Sequence, residues 1–184
     1  MASRIHICYN ESMKTLILFL LFLLPTSSFA QTITTASNVD VSRYIGKWYA
    51  HYSLPQFFTR KCKGQTAEYE IINAKTISVL NTCLKSKGQK TIKGQAVITN
   101  AQTNAELVVT FNNFFTRLFR VKGDYNIMKI DPDYEYVLVG SVNRKSLWLM
   151  SRSPVEIPEE VVREYLDLAI KDGFDISKLL KSHF

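Results

Sequence analysis

Aromatic and basic side chains are mixed in two segments of this sequence, and they are its best candidates for binding chemistry. The residues concerned are Phe57, Phe58, Arg60, Phe114, Phe115 and Arg117. Exposed phenylalanine lowers solubility unless it lines an entrance, meets a partner or touches a membrane surface. Rings beside cations suit an acyl chain with an anionic head group. The alternative is that these rings pack under their own loops and form part of a local core.

Interleaved aromatic and basic residues also suit single-stranded nucleic acid. The basic residues of this chain do not form the dense runs of a nucleic-acid-binding arm, and an N-terminal export leader is predicted below. We therefore expect no nucleic-acid partner.

Catalytic residues are not predicted. His51 lies in a predicted strand and the other two histidines lie near the chain ends, so no His-centred nucleophile arrangement is expected. The carboxylate pairs Asp131/Asp133 and Glu159/Glu160 fall at a turn and at a helix start, where each has a structural explanation. Phosphate-loop, EF-hand and zinc spacings are not present in the sequence. The sequence predicts no metal site, no cofactor and no enzymatic activity.

The elements that hold the candidate residues are short strands. From Trp48 onward, alternating or β-branched runs are separated by polar turns, which is typical of an all-β barrel. The expected strands are approximately Lys47–Ser53, Gln65–Ile72, Thr76–Leu84, Lys90–Thr99, Glu106–Phe111, Asp124–Ile130, Tyr134–Val142 and Leu147–Ser151. Brief connections predict an eight-stranded antiparallel up-and-down β-barrel, whose closure removes exposed edges and leaves room for one small ligand.

Strand alternation predicts which side chains face the barrel interior. The expected ligand-binding residues are Tyr69, Val79, Asn81, Leu107, Val109, Phe111, Tyr125, Ile127 and Trp148, with Ile71 facing the same way. A mostly apolar lining with a few polar groups matches a small-molecule pocket. The alternative is that these side chains form an ordinary packed core. A one-residue error in register would turn all the inward side chains of a strand outward.

The two ends of this barrel have different expected roles. Trp48, two residues after Gly46, can fill the narrowing end. Arg152 follows the last strand at that same end, where its guanidinium can stack on the indole. The alternative is that Arg152 is an ordinary solvated arginine on the surface. We expect Gly46, Trp48 and Arg152 to be structural. The connections at the opposite end, which form the mouth, are 54–64, 85–89, 112–123 and 143–146.

After Pro154 the pattern changes to that of one amphipathic helix. The apolar residues at helical spacing are Val161, Val162, Tyr165, Leu166, Ala169 and Ile170. Pro158 and Glu159 favour a helix start, and Gly173 favours its end. Because the polar face is acidic, we expect the helix to pack outside the barrel rather than on a membrane. The tail, 175–184, is expected to add a short strand or to be irregular.

Cys62 and Cys83 lie almost symmetrically about a predicted hairpin turn near 73–76. In an exported chain two such cysteines are expected to form a disulfide across adjacent strands, and two free buried thiols are the alternative.

The N-terminal residues, 1–30, have the pattern of a cleavable signal peptide, and the apolar run Leu16–Leu24 is too short to anchor in a membrane. The remaining residues, 31–184, suit a single domain. The formal net charge is +7, and cleavage would leave most of this basic excess. A positive charge favours anionic surfaces or ligands.

Three separated segments resemble lipocalin signatures, in the form found in the bacterial lipocalin and apolipoprotein D branch. The first is Asn38–Tyr49, which contains Gly46-Lys47-Trp48. The second is Gly123–Gly140, and the third is Leu147–Pro154, where Arg152 occupies the position that covers the tryptophan. The segment Gly173–Lys178 also looks like the bacterial members.

The resemblance implies a lipocalin calyx that carries fatty acids, lysophospholipids or related amphiphiles, with a role in envelope maintenance or stress. Asn81 matches a cavity-facing position of that branch. The alternatives are an isomerase-like enzyme on the same scaffold, acting on a lipid or isoprenoid, and an interaction-only protein with a filled barrel. Ala30-Gln31 stands where bacterial relatives often carry a lipid-attachment cysteine. We therefore expect a periplasmic or secreted monomer or homodimer that contacts small amphiphilic ligands and membrane surfaces.

Overall fold

The computed structural model describes residues 32–56, 58–59, 61–111 and 122–184, so the predicted signal peptide lies outside the described residues. The strands in this part of the chain are β1 (Gly46–Ser53), β2 (Gly64–Asn73), β3 (Thr76–Leu84), β4 (Gln89–Ile98), β5 (Glu106–Phe111), β6 (Lys122–Ile130), β7 (Tyr136–Gly140), β8 (Leu147–Ser151) and β9 (Leu180–Lys181). Two α-helices, α1 (Val41–Tyr44) and α2 (Glu159–Lys171), and a 3-10 turn, Ile176–Lys178, accompany them.

The strands β1 to β8 close into an antiparallel barrel. Each strand from β2 to β7 pairs with the next along the chain, and β8 then pairs with β1. The barrel closes because β1 also pairs with β2, with Trp48 opposite Ala67. The predicted eight-stranded up-and-down barrel is thus confirmed, and β9 adds to β1 outside it.

Two apolar cores follow from the pleat of the strands. The first fills the barrel interior and includes Trp48, Tyr69 and Val79. The second lies between the barrel and α2, and includes Leu149 of β8 and Tyr165 of the helix. The strands under the helix are therefore buried on both faces.

The seventh strand is shorter than the predicted Tyr134–Val142. Asp131 holds a turn ahead of it, because its carboxylate accepts hydrogen bonds from the backbone N–H of Asp133 at 3.0 Å and of Tyr136 at 2.6 Å. Tyr134 takes a φ of +62° within that turn. At the other end, the N–H of Val142 donates to the Asp124 carboxylate instead of to a strand.

The first helix, α1, was not predicted. Its N-cap is Asp40, whose side chain accepts a hydrogen bond from the N–H of Ser42 at 2.9 Å. The helix is a single turn, too short to produce a helical repeat in the sequence, but it carries Tyr44 into the core at the barrel end.

The second helix, α2, packs outside the barrel as predicted, and it buries Tyr165 and Ala169. The prediction that Ile170 belongs to the buried stripe is wrong, since this side chain is 52% exposed. Ala169 holds the contact with the barrel, and the next residue is rotated about 100° around the helix axis, away from it.

The C-terminal tail continues past β9 along the barrel wall. It covers the place where β1 stops pairing with β2, since the N–H of Ser182 donates to the carbonyl of His51 at 2.8 Å and that of His183 to the carbonyl of Lys63 at 2.7 Å. Gly64 makes room for Phe184, because a Cβ there would lie 2.9 Å from the phenylalanine ring.

Candidate ligand-binding site

The inward side chains of several strands surround a small recess at the closed end of the barrel. Its lining residues are Tyr44, Tyr69, Ile77, Ala96, Leu107, Val109 and Tyr125. Sequence alternation placed Tyr69, Leu107, Val109 and Tyr125 in this lining. It also contained the signal for Ile77 and Ala96, which lie at inward positions of β3 and β4. Tyr44 had no such signal, since it comes from α1.

The other predicted lining residues also face the interior. Val79 and Ile127 are buried in the barrel core, and Phe111 and Trp148 pack against it. Ile71 keeps the predicted parity, since it pairs with Ile77 of the recess lining, but its side chain is 49% exposed. It lies next to a register shift at the end of the β2–β3 hairpin, beyond the part of β2 that the barrel core covers.

Asn81 places an unpartnered polar atom in this interior. Its Oδ1 atom is buried and has no hydrogen-bond partner among the described residues. The residue pairs with Ala67 on β2 and Ile92 on β4, so its strand neighbours offer no side-chain donor. A buried acceptor without a donor costs about 1–3 kcal/mol. The position therefore favours a ligand or water that supplies a hydrogen bond.

Three tyrosine hydroxyls meet on the recess at the closed end. The hydroxyl oxygen of Tyr125 lies 2.6 Å from that of Tyr44 and 2.9 Å from that of Tyr69. Burial raises the pKa of Tyr69 to about 12, and it raises the pKa of Tyr44 and Tyr125 well above the ordinary value. All three hydroxyls therefore keep their protons and can act as donors.

The mouth end is basic and partly apolar where the structure describes it. Phe58 is 64% exposed. The connections β1–β2 and β3–β4 carry exposed lysines, and the segments 54–64 and 84–94 contain no Asp or Glu. The exposed lysines in these segments are Lys61, Lys63, Lys85, Lys87, Lys90 and Lys93. The other predicted mouth residues, Phe57, Arg60, Phe114, Phe115 and Arg117, lie outside the described residues.

A disulfide between Cys62 and Cys83 crosses this mouth, which confirms the predicted pairing. Cys83 lies in β3, and Cys62 lies just before β2. The bridge therefore ties the β1–β2 connection to the barrel wall.

The closed end is built around Trp48, which is fully buried. The guanidinium of Arg152 lies 3.8 Å from the indole ring centroid, and it donates to the carbonyls of Ile45 at 2.9 Å and Tyr134 at 3.1 Å. Gly46 has a φ of +94°, which favours glycine, and a Cβ there would meet Arg152 at 3.4 Å. These contacts close the barrel behind the recess.

His51 and Ser151 form a contact that sequence reasoning missed. The Nε2 atom of His51 lies 2.9 Å from Ser151 Oγ and 3.0 Å from the carbonyl oxygen of Ser153. Because a carbonyl oxygen only accepts, Nε2 carries the proton and cannot act as a base toward Ser151. Both side chains are buried, and the hydroxyl of Ser151 donates to the same carbonyl at 2.6 Å. The pair is structural.

We expect the free energy of unfolding to fall as the pH drops from about 7 to about 5, with His51 contributing to the fall. Burial lowers the pKa of His51, against opposing contributions from Ser153 and Glu156. The unfolded chain therefore takes up a proton near pH ~6.5 more readily than the folded protein does. The stabilisation by neutral His51 is complete above that pH and is lost below it.

Denaturant unfolding across this pH range measures the effect. The curve of free energy against pH should be flatter for His51→Gln than for the unsubstituted protein. His183→Gln removes the neighbouring exposed histidine and should keep the original slope. Equal slopes for the His51→Gln variant and the parent would contradict the prediction.

The described residues contain no cluster of His, Cys, Asp or Glu suited to a metal ion. Within the same residues, no helix is long and apolar enough to cross a membrane.

Comparisons with known proteins agree with this geometry. A family model described as Lipocalin-like domain matches residues 39–183. Temperature-induced lipocalin-1 of Arabidopsis thaliana is 35% identical over 148 residues, which are 79% of each chain. The outer membrane lipoprotein Blc of Escherichia coli K12 is 33% identical over 150 residues, covering 80% of this chain and 81% of the relative.

The solved structure of insecticyanin from the tobacco hornworm Manduca sexta superposes on this chain with a TM-score of 0.66 at 20% sequence identity. The superposed part covers 85% of this chain and 86% of the insecticyanin chain. At that identity the likeness shows the fold. The resemblance noted in the sequence is confirmed by the family match, which runs from just before α1 into the C-terminal tail. The chain belongs to the lipocalin-like family.

Proposed function

We propose that this protein is a non-catalytic carrier that binds fatty acids, lysophospholipids or similar amphiphilic lipids inside the barrel. The observation that carries the proposal is the unpartnered Oδ1 atom of Asn81 in an otherwise apolar part of the wall. An apolar chain would be buried by the side chains around it, and a ligand hydroxyl would supply the missing hydrogen bond.

The charge distribution supports an anionic or zwitterionic head group at the mouth. Exposed lysines lie in and beside two connections at the entrance, β1–β2 and β3–β4, and the segments 54–64 and 84–94 carry no acidic residue. A lipid held with its chain inward would place its phosphate or carboxylate among these lysines. Phe58 offers an exposed apolar ring at the same end, which favours contact with a membrane surface during loading.

The names of the relatives support a location outside the cytoplasm and a role in lipid maintenance or stress. They include an outer membrane lipoprotein, a temperature-induced lipocalin and apolipoprotein D of mouse, which is 29% identical over 151 residues. The disulfide fits an oxidising compartment. We infer that the protein acts in the periplasm or after secretion, following removal of residues 1–30.

An enzyme on the same scaffold is disfavoured. The relatives named above are described as lipocalins, lipoproteins and an apolipoprotein rather than as enzymes. Among the described residues, the His51–Ser151 contact resembles a nucleophile and base, but the proton on Nε2 and the burial of both groups argue against that role.

Delipidated protein is expected to bind a fluorescent fatty acid saturably, and oleate and lysophosphatidylcholine are expected to displace it. Fluorescence titration measures both steps. Native mass spectrometry of protein purified from its own host should show a retained lipid. Absence of saturable binding by the delipidated protein would overturn the carrier proposal.

Asn81→Leu is expected to move stability and affinity in opposite directions. The free energy of unfolding of the ligand-free protein should rise by about 1–3 kcal/mol, because a buried unpaired acceptor is removed. Affinity for lysophosphatidylcholine, whose glycerol hydroxyl can donate, should fall about three- to tenfold.

The matched control is Gln95→Leu, which makes the same kind of change at an exposed amide on β4, and should leave lysophosphatidylcholine affinity unchanged. An Asn81→Leu variant that keeps full affinity would remove Asn81 from the binding site.

A further inference from the structure

The tyrosine cluster at the closed end has more hydrogen-bond donors than it uses. Tyr44, Tyr69 and Tyr125 bring three hydroxyl protons, and two hydrogen bonds join them. Each bond uses one proton. Whichever way the bonds run, one O–H among the three has no acceptor within the cluster.

Among the described residues that line the recess, none besides these tyrosines offers the remaining donor an acceptor. Tyr44 is 2% exposed, Tyr69 is 5% exposed and Tyr125 is half-buried, so the cluster has little access to bulk solvent. All three rings line the recess, and its other lining residues are aliphatic: Ile77, Ala96, Leu107 and Val109. A buried donor is costly unless something accepts its hydrogen bond. An acceptor that enters the recess would satisfy this donor.

We propose that the tyrosine cluster is a second polar subsite that accepts an oxygen atom carried on the ligand's acyl chain, so that the preferred ligands are fatty acids with a hydroxyl or keto group deep in the chain. This inference rests on the proposed function and names its ligand class. When the bound acyl chain has no such oxygen, a water molecule must accept the hydrogen bond from the remaining tyrosine O–H. A hydroxyl or ketone oxygen on the chain takes the place of that water.

The barrel register gives the depth at which the oxygen must lie. Gln65 of β2 pairs with Cys83 at the mouth, and Tyr69, four residues further along β2, pairs with Val79. Four residues of strand span about 13 Å. An oxygen next to the head group would remain at the mouth, so the subsite selects an oxygen in the middle or distal part of the chain.

The electrostatics of the cluster select a neutral oxygen. Burial raises the pKa of all three tyrosines, so they offer neutral O–H donors and no positive charge. The nearby Arg152 is occupied by the indole of Trp48 and by backbone carbonyls. A carboxylate at the closed end would be a buried charge without a counter-ion, which is strongly unfavourable. The carboxylate therefore stays at the lysine-rich mouth.

Positional isomers of one hydroxylated fatty acid test the proposal. The probes are stearate, 2-hydroxystearate and 12-hydroxystearate, each displacing the same fluorescent fatty acid from delipidated protein. We expect 12-hydroxystearate to bind about three- to tenfold more tightly than the other two, as one added hydrogen bond to a buried donor would produce. The isomer hydroxylated next to the carboxylate controls for polarity and solubility.

A triple variant, Tyr44→Phe with Tyr69→Phe and Tyr125→Phe, removes all the hydroxyls while keeping the rings. Removing every partner together avoids leaving one hydroxyl without its neighbours. The variant should lose the preference for 12-hydroxystearate over stearate. The control is Tyr49→Phe, which removes a hydroxyl from a ring that contacts Phe184 on the outside of β1, and should keep the preference.

Equal affinities of the parent protein for the three fatty acids would overturn the subsite and leave the carrier function standing. Binding of none of them would overturn both. Should the triple variant not fold, the comparison of the three probes on the parent protein still decides the question. A preference that persists in a folded triple variant would also overturn the proposal, because it would arise elsewhere in the barrel.

Discussion

Replacing Trp48 with alanine is expected to lower the free energy of unfolding by about 3–5 kcal/mol, the loss typical of a large buried aromatic side chain. The indole is fully buried in the barrel core, and its ring lies 5.4 Å from that of Tyr44. Its Nε1 atom also donates to the carbonyl of Tyr44 at 2.9 Å. Truncation therefore leaves a cavity and weakens the attachment of α1, because the Tyr44 carbonyl keeps only the hydrogen bond from Arg152 at 3.2 Å.

The substitution also removes the surface on which Arg152 lies, since the guanidinium is 3.8 Å from the indole centroid. Urea unfolding followed by far-ultraviolet circular dichroism measures the loss. Trp48→Phe keeps an aromatic ring and should cost less than Trp48→Ala. An unchanged unfolding midpoint for Trp48→Ala would mean that the closed end does not depend on this residue.

Loss of the disulfide is expected to lower the free energy of unfolding by about 3 kcal/mol. The bridge joins Cys62 and Cys83, which are 21 residues apart, and closing a loop of this length reduces the entropy of the unfolded chain by roughly that amount. The double variant Cys62→Ser with Cys83→Ser is the suitable test, because a single change leaves a free thiol.

Denaturant unfolding of the double variant, and of the unsubstituted protein with and without a reductant, measures this contribution. The reductant should destabilise the unsubstituted protein and leave the double variant unaffected. A double variant as stable as the oxidised parent would show that the bridge does not constrain the unfolded chain.

The fold was predictable because its main features depend on local patterns. The alternation of residues in β3 and β5 placed both strands at their observed bounds, and polar turns separated each strand from the next. The alternation also identified inward residues such as Tyr69, Val79 and Leu107. The alternation does not tell where the covered part of a strand ends: Ile71 pairs with Ile77 as expected but is exposed at the end of its hairpin.

The candidate site was predictable only in part. Strand parity identifies the side of a sheet on which a side chain lies, but not which side chains from distant strands touch. Tyr125 could be placed in the interior, whereas its hydrogen bonds to Tyr44 and Tyr69 join residues 81 and 56 positions away in the chain. The contact between His51 and Ser151 spans 100 positions and had no local signal.

The sequence by itself determined that the chain forms a closed antiparallel barrel with an outer helix, a tryptophan at one end and a disulfide at the other. These features follow from side-chain period, turn chemistry and cysteine spacing, which are properties of neighbouring residues. Only the tertiary structure decided which polar groups in the interior find partners. Whether the amide of Asn81 or a hydroxyl of the tyrosine cluster is satisfied depends on distances across the barrel, and those distances exist only once the strands have closed.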